Sequence, residues 1–362
     1  MEPARWASHL EECARLRAEH PLRYLFLEVT RRCNLSCGYC GSSCTPRTGA
    51  GELSAARWRA VIEQIAESFD AAKIMVAITG GEPLIRPDIH EIFDALRGCG
   101  FRFGMVSNGT FIDESTAERL VASGIGSISL SMDGPPELND RLRGKGSARC
   151  VSNAVRSLRG AGYKGILEII TTVTKPVVPE LDEMRKIVAK LRVRRWRVAP
   201  VMPLGRAAAQ PELLLNTSDV RAMFDFIRAG RSDGLLPPPE MSEEGFLGDE
   251  YEGAVRPYLC RCGAGVTIGG VLFDGRIGAC PELADAFVQG HVDKDRFVDV
   301  WNERYEVFRD RSWARRGSCA ACDAFEICQG GAMHLYSSPG SEFLRCLFLM
   351  LADDLDAGTN QS

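Results

Sequence analysis

Between residue 23 and about residue 202 the chain alternates short apolar runs with longer segments of helical periodicity. The apolar runs 24–30, 74–79, 101–107, 127–132, 166–172 and 196–201 have strand length. The segments 55–68, 113–123, 148–161 and 179–191 between them have the length and periodicity of helices. Strand-helix alternation of this kind implies right-handed crossovers and a parallel sheet, which makes the chain an α/β protein. Six such units are too few to close an eight-stranded barrel, and in barrels of this kind the chemistry sits at the C-terminal ends of the strands.

The pattern changes on either side of this region. Residues 1–22 read as an N-terminal helical extension, and residues 213–258 as a helix near 217–229 followed by a loose proline-rich link, LLPPPEMSEEG. From 259 to 350 the composition turns to cysteine, glycine and short strands. Cys260, Cys262, Cys280, Cys319, Cys322, Cys328 and Cys346 are half of the chain's fourteen cysteines. Residues 351–362 have the composition of a polar tail.

A length of 362 residues fits about two domains, and 45% hydrophobic with 25% charged residues is a globular balance. The net charge of −4 leaves no general basic footprint, so nucleic acid is not an expected partner. The local run Arg192, Arg194, Arg195 and Arg197 decorates the ends of a strand or contacts a carboxylate or phosphate. The start of the chain has no secretion signal, and no stretch reaches the ~18 apolar residues of a membrane span. Fourteen cysteines in a leaderless chain point to reduced thiols and metal, hence a cytoplasmic protein with no membrane partner.

Just past the first strand, TRRCNLSCGYC places Cys33, Cys37 and Cys40 in a C-x3-C-x2-C spacing. Fe–S clusters are normally held by four cysteines. Three thiolates hold three irons of a [4Fe–4S] cube and leave the fourth open to a small molecule. The bare spacing would also allow zinc or structural thiols, but the following motifs come in order on successive strand ends. Gly80-Gly81-Glu82-Pro83 follows the second strand, Ser107-Asn108-Gly109 the third, and Ser131 ends the fourth, with Arg143 beyond it. On these residues the chain resembles the radical S-adenosylmethionine (SAM) family.

The resemblance implies a partial (β/α)6, TIM-like barrel over residues 23–212, with SAM chelating the open iron. It implies that Gly80, Gly81 and Glu82 contact the SAM amino group and that Tyr39 packs near the adenine. Ser131 and Arg143 match a pair that holds the ribose and the carboxylate, a task suited to the two-pronged arginine. Ser107 and Asn108 match another turn lining the pocket, or form an ordinary turn. The implied chemistry is one-electron reduction of SAM to a 5'-deoxyadenosyl radical that removes hydrogen from a C–H bond.

The C-terminal cysteines follow a second pattern. Segments 266–268 and 271–273 read as strands and Asp274-Gly275 as a hairpin turn, with Cys262 and Cys280 near its ends. Further on come Cys319-x2-Cys322-x5-Cys328, Gly330-Gly331 and Cys346. The layout resembles the SPASM domain, which binds auxiliary Fe–S clusters, although paired cysteines on hairpins also build zinc sites. On that resemblance Cys319, Cys322, Cys328 and Cys346 complete one cluster. The inner site is a departure, because alanine stands at 332 where the family has a cysteine. That leaves Cys262, Cys280 and, as a third ligand, Cys260, so the chain carries one or two auxiliary clusters. Sulfatase-maturing relatives place an aspartate directly after the hairpin's last cysteine. Here that position is Pro281, and Glu282 on an extended segment is expected to point away. Cys44 reads as a small buried residue, and Cys13, Cys99 and Cys150 as core or surface thiols.

The expected function is a radical SAM/SPASM oxidoreductase acting on a ribosomally made peptide by crosslinking, dehydrogenation or epimerisation. It would draw electrons from a reductant such as flavodoxin or ferredoxin. Only about twenty residues precede the first strand, too few for a fused leader-peptide-binding domain. The alternative substrate is a small molecule, a sugar or aminocyclitol. A non-catalytic electron-transfer protein would have no use for a SAM pocket.

Overall fold

A computed structural model describes residues 3–47, 51–234, 236–243 and 245–352. After helix α1 (Pro3–Glu19), strands β1 (Tyr24–Thr30), β2 (Met75–Gly80), β3 (Arg102–Ser107), β4 (Ser127–Ser131), β5 (Ile166–Val173) and β6 (Arg195–Pro200) run parallel in sequential order. Their registers, such as Leu25 opposite Val76 and Ile128 opposite Leu167, bring all six C-terminal ends to one rim. The crossovers are α2 (Ala55–Ser68), α3 (Ile89–Gly98), α4 (Glu114–Ala122), α5 (Pro136–Arg143) with α6 (Ser147–Gly160), and α7 (Leu181–Leu191). Each of these six strands lies within one residue of its expected place. Helices α3 and α5 were not in the expected set. Yet α3 buries Ile89, Ile92, Phe93 and Leu96, a helical spacing visible in the sequence.

The sheet does not stop at six strands. After α8 (Thr217–Ser232), residues expected to be a loose link form β7 (Pro239–Met241), which pairs parallel with β6. Its middle residue, Glu240, meets Arg195 across the pair while Met241 is buried, which is how so short a strand holds at an edge. On the other side β8 (Ile268–Val271) pairs parallel with β1, followed by β9 (Arg276–Gly278) and β10 (Gly290–His291). The result is one ten-stranded sheet in the order β10-β9-β8-β1-β2-β3-β4-β5-β6-β7.

The hairpin turn falls at Asp274-Gly275 as expected, but the strands do not lie at 266–268 and 271–273. The amides of Val266, Thr267 and Ile268 all donate to the Gly263 carbonyl, so the first apolar run begins as a buried turn. The second strand follows the turn instead of preceding it.

An aromatic stack seats the C-terminal region on the sheet. Helix α9 (Phe297–Glu303) stacks Phe297 on Trp301, and Tyr305 and Phe308 continue the row edge-on. A Cβ at Gly269 would lie 2.7 Å from Phe297, so glycine on β8 makes room for the stack. The Trp301 indole N–H donates to the His20 carbonyl (3.1 Å), tying this stack to the turn between α1 and β1. Among the described residues no helix is long and apolar enough to cross a membrane.

Trp301→Ala is expected to lower stability by roughly 3–5 kcal/mol, because it empties a fully buried site and orphans a carbonyl. Chemical denaturation is the check, and a midpoint equal to wild type would remove Trp301 as the seat of the C-terminal region.

Candidate active site

The loops leaving the strand ends surround a cavity of about 410 Å³, within the size range of small-molecule sites. Cys33, Cys37 and Cys40 line it together with Tyr39, Gly80, Gly81, Ser107, Asn108, Ser131 and Arg143. Of the barrel residues singled out from sequence, only Glu82 is absent from the lining.

The cysteine loop is irregular and is held from several sides. The Cys33 amide donates to the Thr45 carbonyl (2.9 Å), closing the loop's base. The Cys33 sulfur accepts from the Leu35 amide at 3.4 Å and from the Asn108 side-chain amide at 3.8 Å. Cys44 is buried as expected, and its S–H donates to the Ser42 carbonyl (4.0 Å). The neighbouring Cys44 side chain, backbone amides and the Arg206 cation hold the Cys40 thiol below its usual range, whereas burial pushes Cys33 and Cys37 up. Sulfurs that accept N–H bonds at the wall of a cavity suit anionic thiolates.

Among the described residues no three Cys, His, Asp or Glu side chains converge on a single-ion site. A four-iron cube does not require that, because each cysteine holds a different iron. Three cysteines lining one cavity fit a cube with one iron left open to a small molecule.

Glu82 acts from beneath. The amides of Gly81 and Glu82 donate to the carbonyls of Thr30 and Arg32, both at 2.8 Å. Added Cβ atoms at Gly80 and Gly81 would sit 2.1 and 2.2 Å from those same carbonyl oxygens. The glycines therefore permit close approach of β2 to the start of the cysteine loop, and the close neighbour they serve is protein backbone. The Glu82 carboxylate accepts from the Asn108 amide (2.7 Å), the Ser107 hydroxyl (2.9 Å) and the Leu84 amide (3.2 Å). Burial outweighs these donors and raises its pKa to about 7.

Asp133 plays the corresponding part past β4. It is fully buried and accepts from the Tyr39 hydroxyl and the Arg143 guanidinium on one oxygen, and from the Thr172 amide on the other. Arg143 thus reaches the cavity already anchored, as does Arg197 through Glu168 (2.7 Å). Asp133 lies two residues past Ser131, but nothing in spacing alone marks it as the partner of Tyr39.

The far wall comes from the C-terminal half. Glu243, Glu282 and His334 line the same cavity. The expectation that Glu282 points away is overturned: its carboxylate lies 2.9 Å from where a Cβ on Gly41 would be, directly over the cysteine loop. A turn after Cys280, closed by the Leu283 amide on the Cys280 carbonyl (3.2 Å), bends the segment, so alternation along an extended strand does not apply. His334 pairs with Glu243 at 3.3 Å. Burial opposes its charge, but Glu243 and Glu282 override it and raise the pKa to about 9. No motif signalled His334 or Glu243.

Cys319, Cys322, Cys328 and Cys346 line one small enclosed cavity with Phe325, Phe343 and Phe348. Cys260 and Cys262 face another with Cys13. Cys280, whose thiol is raised by burial, has Glu282 and Cys262 among the groups whose charge acts on it. Cys260, in the same small cavity as Cys262, also packs with Trp6, Phe246 and Ala324. Ala332 is fully buried.

A model of the Radical SAM superfamily matches residues 27–191, and one of an iron-sulfur cluster-binding domain, SPASM, matches residues 262–323. The mycofactocin maturase MftC of Mycolicibacterium smegmatis is 34% identical over 319 residues, covering 84% of this chain and 76% of that protein. The chain belongs to the radical SAM superfamily. This radical SAM enzyme is also 26% identical to an AdoMet-dependent heme synthase of Oleidesulfovibrio alaskensis over 339 residues, 88% of this chain and 84% of that one. In fold it resembles SuiB of Streptococcus suis bound to S-adenosylmethionine, with a TM-score of 0.68 at 20% identity over 89% of this chain and 76% of that chain. Its cofactors are a [4Fe–4S] cluster, SAM and auxiliary Fe–S in the C-terminal domain.

Glu82→Ala leaves the buried donors of Asn108, Ser107 and Leu84 without their acceptor, at about 1–3 kcal/mol for each that stays unpaired. Thermal unfolding is expected to show that loss and SAM binding to weaken, with Glu82→Gln far milder. Wild-type melting of the alanine variant would dismiss Glu82 as a strut.

Proposed function

We propose that this enzyme binds SAM in the cavity at the strand ends and uses it to take hydrogen from a C–H bond of a ribosomally made peptide. The observation that carries the reading is the shared cavity. Three thiols, the Gly80-Gly81 turn, Ser131 and Arg143 line one side, and Glu243, Glu282 and His334 line the other. A substrate lying between the two walls would face both the SAM site and the auxiliary-cluster domain.

Cys33, Cys37 and Cys40 are the ligands of the SAM cluster in this reading, with Tyr39 beside the adenine and Gly80 and Gly81 offering backbone to the SAM amino group. Arg143 and Ser131 take the carboxylate and ribose, and Asp133 keeps Arg143 aimed. Ser107 and Asn108 brace the wall through Glu82. When bound, the cluster and SAM supply a 5'-deoxyadenosyl radical on one-electron reduction by a flavodoxin- or ferredoxin-like donor. Cys319, Cys322, Cys328 and Cys346 hold an outer auxiliary cluster, and Cys262, Cys280 and, as a third ligand, Cys260 belong to an inner one. The chain is divided into a barrel at 23–212 and an auxiliary-cluster domain at 259–350.

Peptide modification is favoured because the 34% identical relative is itself named a maturase. The likeness to a heme synthase, at 26%, supports a small-molecule reading less strongly. Which oxidation follows hydrogen abstraction depends on the substrate bound at the far wall.

Anaerobically reconstituted protein is expected to cleave SAM to 5'-deoxyadenosine when reduced. Changing Cys33, Cys37 and Cys40 together to alanine is expected to abolish cleavage while iron stays in the C-terminal domain. Cleavage retained by that triple variant would refute the site. For the substrate, a short peptide encoded beside the enzyme and made fully deuterated is expected to pass deuterium into 5'-deoxyadenosine. Turnover of that peptide without deuterium transfer would count against hydrogen abstraction from it.

A further inference from the structure

The second half of the cysteine loop is gripped by the turn after β6. The Arg206 guanidinium donates through Nε to the Cys37 carbonyl (2.8 Å) and through Nη1 to the Cys44 carbonyl (2.7 Å). The Arg206 backbone amide donates to the Cys40 carbonyl (3.0 Å), and the Gln210 side chain to the Gly38 carbonyl (2.6 Å). Gly205, at φ +52°, presses so close that an added Cβ would lie 2.1 Å from the Gly41 carbonyl oxygen. Strands β1 and β6 are not neighbours in the sheet, so this contact bridges the open side of the partial barrel.

The charge is as distinctive as the geometry. Arg86, Arg143, Arg197 and Arg256 each meet a carboxylate. Arg206 lines the cavity and spends its hydrogen bonds on carbonyls, and among the described residues no ion pair neutralises it. A half-buried cation with no ion-pair partner, lining the cavity and acting on the Cys40 thiol, favours negative charge on the loop beside it.

We propose that Arg206 is a positioning residue for the SAM cluster, fixing the three-cysteine loop and lending it a positive charge that favours the reduced state. This rests on the reading that Cys33, Cys37 and Cys40 hold that cluster. Adding an electron to a thiolate-ligated cluster deepens its negative charge, so a nearby guanidinium raises the midpoint potential. Three carbonyls held by one residue also keep the sulfurs at fixed separation while SAM comes and goes.

The test uses full-length reconstituted protein as wild type, Arg206→Gln, Arg206→Lys and Cys37→Ala. Each is titrated with reductant while following the EPR component that changes when SAM is added. Arg206→Gln is expected to shift that component to a more negative midpoint and to slow 5'-deoxyadenosine formation at least about tenfold. Arg206→Lys keeps the charge without the fork, so its midpoint stays near wild type while cleavage still slows. A midpoint and cleavage rate in Arg206→Gln equal to wild type overturn the proposal, provided Cys37→Ala loses the SAM-responsive component. If Cys37→Ala keeps that component, the cluster lies elsewhere and both readings fall. Should Arg206→Gln fail to load iron at this site, Arg206→Lys decides. A loaded lysine variant with slowed cleavage supports positioning, whereas loss of the folded circular-dichroism signal in both variants assigns Arg206 to folding alone.

Discussion

The loop after β1 must hold three thiols at fixed separation with neither helix nor strand to brace it. Everything around the cavity answers to that constraint. An irregular segment has backbone groups that need partners, and unpaired ones would let the loop move or cost free energy if buried. Here the partners are distributed: Thr45 closes the base, β2 lies under the entry to the loop, and Arg206 and Gln210 hold the exit. Rigidity is borrowed from three strand ends.

Two buried acids carry that rigidity from one strand end to the next. Glu82 joins the turn after β2 to the turn after β3, and through Asn108 reaches the Cys33 sulfur. Asp133 joins the end of β4 to β5, to Arg143 and to Tyr39. Such groups are expensive to bury unless nearly every oxygen is satisfied, and here several donors converge on each. The same logic recurs beside Cys262, where the buried Arg311 donates to the carbonyls of Cys262, Gly331 and Phe308. Arginine on cysteine carbonyls is thus a repeated device in this chain.

Much of this was legible from sequence for physical reasons. The six parallel strands announced themselves because strands buried on both faces are continuous apolar runs. The cysteine loop and the Gly80-Gly81 turn were legible because their spacing is dictated by local chemistry. What stayed hidden depends on long-range contact. Pro239–Met241 is too short and too rich in proline to read as a strand, and becomes one only because Arg195 and Val198 wait beside it. Glu282 was placed on the wrong side because extended geometry was assumed across a turn. Glu243 and His334, 91 residues apart in sequence, meet only in the fold, and no local pattern could bring them together. Cys319, Cys322, Cys328 and Cys346, by contrast, share a local spacing and line one cavity.

The far wall gives the cavity a character that the cysteine-loop side lacks. Two carboxylates and an imidazole face a side bearing Arg143, Arg197 and Arg206, so a substrate between them sits in a strong field inside a partly water-excluded space. That arrangement has meaning only if SAM occupies the opposite wall with its amino and carboxylate groups on the open iron of the three-cysteine cluster. The most direct measurement is electron-nuclear double resonance on the reduced enzyme with SAM labelled by nitrogen-15 at the amino group and oxygen-17 at the carboxylate. Strong hyperfine coupling to both labels, lost in the variant lacking Cys33, Cys37 and Cys40, is the predicted result. No coupling to either label in enzyme that binds SAM would contradict the account.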